Sequence, residues 1–201
     1  MWSDKFCVMV VDEHALSREA ICLLLSRALP RARVFELSPG CRELNLKPCS
    51  GSLLLFGVRP PYLRSINLLA KLRTRFPQSP IVLLAEDMNG RVLQMARARG
   101  ATGLFHTSGN ADDLLGVMQH TLSGKHCFPP APPGEAPPVD FRFTPRQIEV
   151  LDLLCQGKSN KEIGAALNLS GNTVRTHIAA IFAILGARNR TEAVVSSRHL
   201  I

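Results

Sequence analysis

The 201-residue chain has room for one large domain or two small ones, and a hydrophobic fraction of 46% is enough to fill real cores. No apolar run reaches the length of a membrane span, and Met1-Trp2-Ser3-Asp4-Lys5 puts an acid where a signal peptide carries only bases, so a cytoplasmic protein with no membrane partner is expected. The formal charge of +8 suits a polyanionic partner: residues 1–124 hold fifteen Lys/Arg against ten Asp/Glu, and residues 141–201 eight against four.

Phe6 to Val11 is a continuous apolar run, which predicts a strand buried on both faces, ending at Asp12-Glu13-His14. A helix follows from about Leu16 to Leu29 and stops before Pro30. Arg33 to Leu37 reads as a second strand. Residues 38–51 are loop-like, with room for a short helix around Arg42 to Leu46. Ser52 to Val58 is a third strand, broken by Arg59-Pro60-Pro61. Tyr62 to Phe76 is helical with Ile66, Leu69 and Leu72 inward. Pro80 to Ala85 is a strand, Asn89 to Arg99 a helix closed by Gly100, and Thr102 to His106 a short strand. Asn110 to Ser123 is a helix with Leu114, Val117, Met118 and Leu122 inward. Five alternations of strand and helix predict a parallel sheet covered on both faces, with its site at the carboxyl ends of the strands.

Residues 125–140 include the run P-P-A-P-P-G-E-A-P-P, expected to be a semi-rigid spacer between domains at 1–124 and 141–201. Beyond it, Thr144-Pro145-Arg146-Gln147 has a capping Thr, Pro at the first helical position and Gln at the third, opening a helix with Ile148, Leu151 and Leu154 inward. Ser159-Asn160-Lys161-Glu162 is a second capping box, opening a short helix that buries Ile163 and Leu167. After the turn Asn168-Leu169, Ser170 can cap a third helix. On it Val174, Ile178, Ile181 and Leu185 form one stripe, while Asn172, Arg175, Thr176, Ala179 and Ala183 form the opposite face. A small, polar face with one cation suits close approach to a DNA major groove. Asn189-Arg190-Thr191-Glu192 opens a last helix.

Thr144-Pro145-Arg146, Gly157-Lys158-Ser159-Asn160-Lys161-Glu162-Ile163, Thr173-Val174-Arg175-Thr176-His177 and Leu185-Gly186 resemble the LuxR-type helix-turn-helix of bacterial transcription regulators. The resemblance implies DNA contacts from Asn160, Lys161, Ser170, Asn172, Thr173, Arg175, Thr176, His177 and Ala179. The implied partner is a palindromic operator in double-stranded DNA, bound by a homodimer. Thr191, Val194 and Ser197 are candidates for the contact between DNA-binding domains. The chain departs from the family at Gln147, usually Glu, at Ile184, usually basic, and at Ala179 and Ala180, often Asn or Lys. Fewer donors predict weaker binding per subunit.

The five-fold alternation, the acidic pair Asp12-Glu13 and Gly100-Ala101-Thr102-Gly103 resemble the receiver domain of response regulators. The whole chain is similar to a NarL/FixJ-type regulator, which implies a flavodoxin-like (βα)5 domain joined to a four-helix DNA-binding domain. A working receiver needs an Asp after strand three, a hydroxyl after strand four and a Lys after strand five. Here Phe56, or Gly57 with a one-residue slip, stands at the phosphoacceptor position. Ala85 replaces the hydroxyl, Thr107 the Lys, and Leu104 the frequent switch aromatic. Asp12 and Glu13 are expected to be solvated or paired with Arg18, with weak residual Mg²⁺ binding as the sharper alternative. The expectation is a regulator that is not an enzyme, has no cofactor or metal, and answers to abundance, dimerisation, or an unidentified small molecule or protein in place of phosphate. An adaptor that uses the receiver fold to bind proteins is the second reading. The six cysteines form no C-x-x-C pair and are expected as free thiols, with redox sensing by Cys41 and Cys49 as a minor alternative.

Overall fold

The computed structural model describes residues 6–38, 52–60, 62–86, 88, 90–129 and 143–197. Grouped by contact, the chain forms two compact units: 1–59 with 68–88 and 96–133, and 60–67 with 89–95 and 134–201.

Five strands make one sheet: β1 (Cys7–Val11), β2 (Arg33–Leu37), β3 (Ser52–Gly57), β4 (Ile81–Ala85) and β5 (Gly103–His106). All pair in parallel, in the order β2-β1-β3-β4-β5. Composition decides the order. β1 and β4 are apolar and buried throughout, as central strands covered on both faces must be, whereas β2 and β5 carry exposed Arg33, Glu36 and His106 and stand at the edges. Helices α1 (Ala15–Ala28), α2 (Tyr62–Arg75), α3 (Gly90–Ala98) and α4 (Ala111–Leu122) connect or follow the strands. Leu25 of α1 and Leu114 and Met118 of α4 close one core cluster over Val8, Val10, Leu53, Leu55, Val82 and Leu84. This is the flavodoxin-like receiver architecture.

The spacer's first residues belong to the sheet. Cys127 bridges Gly103 in parallel, accepting the Leu104 N–H at 2.7 Å and donating to the Thr102 carbonyl at 3.0 Å. The Arg97 guanidinium lies 4.4 Å from the centre of the Phe128 ring. The free edge of β5 is thereby covered, an arrangement that composition alone did not announce. The Pro-rich stretch 130–140, the expected helix at 42–46, and Cys41 and Cys49 lie outside the described residues. Among the described residues Cys7, Cys22, Cys127 and Cys155 form no disulfide, and burial pushes the Cys22 and Cys155 thiols up. No described helix is long and apolar enough to cross a membrane.

The second unit ends in four helices: α5 (Pro145–Cys155), α6 (Asn160–Leu167), α7 (Gly171–Leu185) and α8 (Arg190–Ser197). Ile148, Leu151, Leu154, Ile163, Val174, Ile181 and Ala193 are buried in it, while Leu167, expected inside, is half-buried. The α6–α7 turn depends on two backbone choices. Asn168 adopts the left-handed region at φ 53°, and Gly164 accepts the Leu169 N–H at 2.9 Å. A Cβ on Gly164 would meet the Leu169 carbonyl oxygen at 2.8 Å, and both atoms are held by backbone. Gly164→Ala is therefore expected to destabilise the second unit by about 1–3 kcal/mol, read from its own transition in urea unfolding followed by circular dichroism.

Candidate functional site

The face of α7 is fixed by hydrogen bonds at its ends. Ser170 caps the helix, its Oγ accepting the Thr173 N–H at 3.1 Å, and Gly186 closes it in the left-handed region. Both predicted capping boxes are present. Gln147 returns to the Thr144 N–H at 2.7 Å, so the Gln found in place of Glu keeps the capping function. Glu162 returns to the Ser159 N–H at 2.8 Å, and the bonds from Ser159 hold its carboxyl below the ordinary value.

Two arginines that stand within helix-start signals of the sequence act as staples. Arg146 bonds Glu149 at 2.7 Å and also the carbonyl of Leu167 at the end of α6. Arg190 donates to the carbonyls of Leu154 at 3.0 Å and Lys158 at 2.7 Å, satisfying the end of α5. Among the described residues of the four-helix segment, Lys158, Lys161, Arg175 and Arg188 are exposed, Lys158 beside Glu162 at 3.7 Å.

Of the residues assigned to DNA contact, Asn160, Lys161, Ser170, Asn172, Thr173, Arg175, Thr176 and Ala179 are exposed, and His177 is half-buried. Arg175 folds along the helix onto the Asn172 side-chain oxygen, and Thr176 bonds the Asn172 carbonyl at 3.1 Å. Asn172, Arg175 and Thr176 thus form one polar ridge. Ala180 and Ile184, two of the departures from the family pattern, are half-buried, so they do not belong to the fully exposed face. On α8, Thr191 is exposed and Val194 half-buried, but Ser197 is a correction. It is fully buried, bonded to Cys155 Sγ at 3.2 Å and the Val194 carbonyl at 2.9 Å, and points into its own unit. Val195 of the same helix is 50% exposed.

At the strand ends, the acidic pair divides. Glu13 is exposed, whereas Asp12 is buried with only 3% of its surface accessible, so solvation is corrected for Asp12. Its partner is not Arg18, which bonds the Asp12 backbone carbonyl at 2.7 Å and pairs with Glu36 at 2.8 Å. Asp12 Oδ1 instead accepts from the His14 backbone at 2.8 Å and from Arg59 Nη1 at 3.1 Å. Arg59, read from sequence only as part of a strand break, also reaches Ser17 Oγ at 3.1 Å and His14 Nδ1 at 2.6 Å. Its guanidinium is thus a positively charged partner of the buried acid.

Phe56 is fully buried in the core, whereas Gly57 is the residue beside Asp12. A Cβ there would lie 2.0 Å from Asp12 Oδ2, so the carboxylate occupies the space of any side chain at 57. Ala85 is buried, and Leu104 is half-buried with its N–H bonded to Cys127. Thr107 is exposed, with its N–H on the Ala85 carbonyl at 2.9 Å. Among the residues assigned to these positions, none offers an acid at 56 or 57, a hydroxyl at 85 or an amine at 107.

Residues 142–197 match the bacterial regulatory proteins of the luxR family. That segment is of the luxR type, and over 94% of its length the chain is similar to response regulators such as NarL. It is 26% identical over 207 residues to the glycerol metabolism activator of Pseudomonas putida, covering 94% of each chain. It is 25% identical over 200 residues to the nitrate/nitrite response regulator NarL of Escherichia coli K12, covering 94% of this chain and 93% of NarL. In fold it resembles RcsB from Salmonella enterica serovar Typhimurium bound to promoter rprA, with a TM-score of 0.58 and 19% identity over 96% of this chain and 97% of that one. The matched luxR-type segment contains the whole polar ridge of α7.

Arg59→Ala removes the counter-charge of a buried acid, though the Arg59 side chain is 35% exposed and water screens part of the pair. It is expected to destabilise the first unit by about 1–3 kcal/mol in chemical unfolding. Glu162 has a lowered folded pKa, so its stabilising contribution is present above the unfolded value and is lost as pH falls through the folded one. Glu162→Gln should flatten the acid limb of the second unit's pH–stability curve, since the amide keeps the cap without titrating.

Proposed function

We propose that this regulator is a sequence-specific DNA-binding transcription factor acting as a homodimer on a palindromic operator, independently of aspartyl phosphorylation. In this reading 1–124 is a degenerate receiver, 125–140 the connection, with its first residues laid along β5, and 141–201 the DNA-binding domain. The observation that carries it is the outward ridge of α7: exposed Asn172, Arg175, Thr176 and Ala179 opposite buried Val174 and Ile181. Small residues let the helix lie deep in a groove, and a guanidinium offers a planar pair of donors to guanine O6 and N7. Two-fold repetition compensates for one short helix with a single cation, and exposed Thr191 and Val195 with half-buried Val194 are the α8 surface for that pairing.

Phosphorylation independence rests on Gly57, Ala85 and Thr107 together with the Asp12–Arg59 pair. Without a phosphoryl trigger, the DNA-competent state is either already populated or selected by a small molecule or protein. Genome-wide footprinting with purified, untreated protein tests the reading. Discrete palindromic sites are expected, and their absence would favour a protein-binding adaptor. On a mapped operator, Arg175→Ala is expected to lose about 1–3 kcal/mol of specific binding per half-site, while Lys161→Ala weakens all sequences alike and lowers the salt slope by about one. Equal operator affinity of parent and Arg175→Ala in a gel-shift titration would remove α7 from the groove.

A further inference from the structure

The first unit contains a cavity of about 260 Å³ that the DNA-binding reading does not use. It lies between α1 and α4, above β4 and β5. Ala20, Ile21 and Leu24 line one side, Leu84 and Phe105 the floor, and Leu114 the far side. Asp12, Arg59 and Thr107 stand at its polar end. Gly109 is needed at the rim, because a Cβ there would meet the Phe105 ring at 2.8 Å. The half-buried Ile21, Leu24 and Phe105 pack on the core cluster and keep accessible surface, as apolar walls of an open site do.

We infer that this cavity binds a small, uncharged, mostly apolar molecule carrying one hydrogen-bonding group at the Asp12–Arg59–Thr107 end. Size sets the class. A cavity of about 150 Å³ accepts benzene and drug-sized ligands need about 300–1,000 Å³, so 260 Å³ suits a fused bicyclic or a short branched chain. Charge sets the rest. Asp12 and Arg59 neutralise one another, leaving no net charge for an ion at the polar end. The positive end of α4 is already answered by Asp112 and Asp113 in its first turn. An anion would meet Asp12 and a cation Arg59. A hydroxyl or amide N–H instead finds acceptors and donors of both kinds: the Thr107 hydroxyl, the Asp12 carboxylate and the Arg59 guanidinium. Burying the apolar part against Leu24, Phe105 and Leu114 supplies the driving force. The site lies wholly in the first unit, so it stands or falls separately from the DNA-binding reading.

The test uses the full chain with methyl-labelled leucine and three probes of one shape: naphthalene-1-methanol, 1-naphthoate and 1-naphthylmethylammonium. Naphthalene-1-methanol is expected to shift the methyls of Leu24, Leu84 and Leu114 saturably, with a Kd of about 0.1–1 mM, as befits so few atoms. The two ions should bind at least about fivefold more weakly. Ala20→Phe, on the exposed edge of the cavity, should fill it and weaken binding at least about tenfold while leaving the circular dichroism spectrum unchanged. If that variant does not fold, methyl mapping on the parent protein decides alone. Absence of saturable shifts at these methyls with every probe, tighter binding of either ion, or undiminished binding in a folded Ala20→Phe would each overturn the proposal.

Discussion

A buried carboxylate must find a counter-charge, and here it finds one inside its own chain. Asp12 sits at the end of β1 with 3% of its surface exposed, and the Arg59 guanidinium contacts it at 3.1 Å. Leaving such a group buried without a partner costs several kcal/mol. The pair can form because residue 57 has no side chain: the carboxylate fills the space where a Cβ would stand. Glycine at 57, aspartate at 12 and arginine at 59 are one device.

The second unit obeys a different constraint. Two of its last four helices have only 8 residues, and short helices leave a large share of their backbone groups without partners. Capping side chains satisfy the amino ends: Thr144 with Gln147, Ser159 with Glu162, and Ser170 on Thr173. Arg146 and Arg190 satisfy the carbonyls at the ends of α6 and α5. These arginines spend their donors on the fold, so net charge overstates what the domain can offer to a polyanion. Among the described residues of the four-helix segment, Lys158, Lys161, Arg175 and Arg188 are exposed cations, and of these only Arg175 sits on the ridge of α7.

Local patterns were legible in the sequence. The run Cys7–Val11, the strand Arg33–Leu37 and both capping boxes stand where spacing and residue type put them, because each is decided within a few residues. The partner of Asp12 was not legible. Arg18 is nearer in sequence than Arg59, but parallel pairing of β1 with β3 brings the end of the third strand beside the first. Ser197 misled for a related reason: a polar residue on a terminal helix reads as surface until the thiol of Cys155 supplies a buried partner. Which of Phe56 and Gly57 lies beside Asp12 also needed three dimensions: Phe56 is buried in the core, and Gly57 lies against the Asp12 carboxylate.

On the proposed reading, with Asp12 paired to Arg59 and no acid at 57, hydroxyl at 85 or amine at 107, affinity for DNA is expected to be indifferent to phosphodonors. The most direct measurement is to incubate the full chain with acetyl phosphate and Mg²⁺, then record its intact mass and its affinity for a mapped operator side by side. Unchanged mass and unchanged affinity, with tight binding before treatment, are the predicted result. The gain of one phosphoryl group accompanied by a shift in operator affinity would contradict the account.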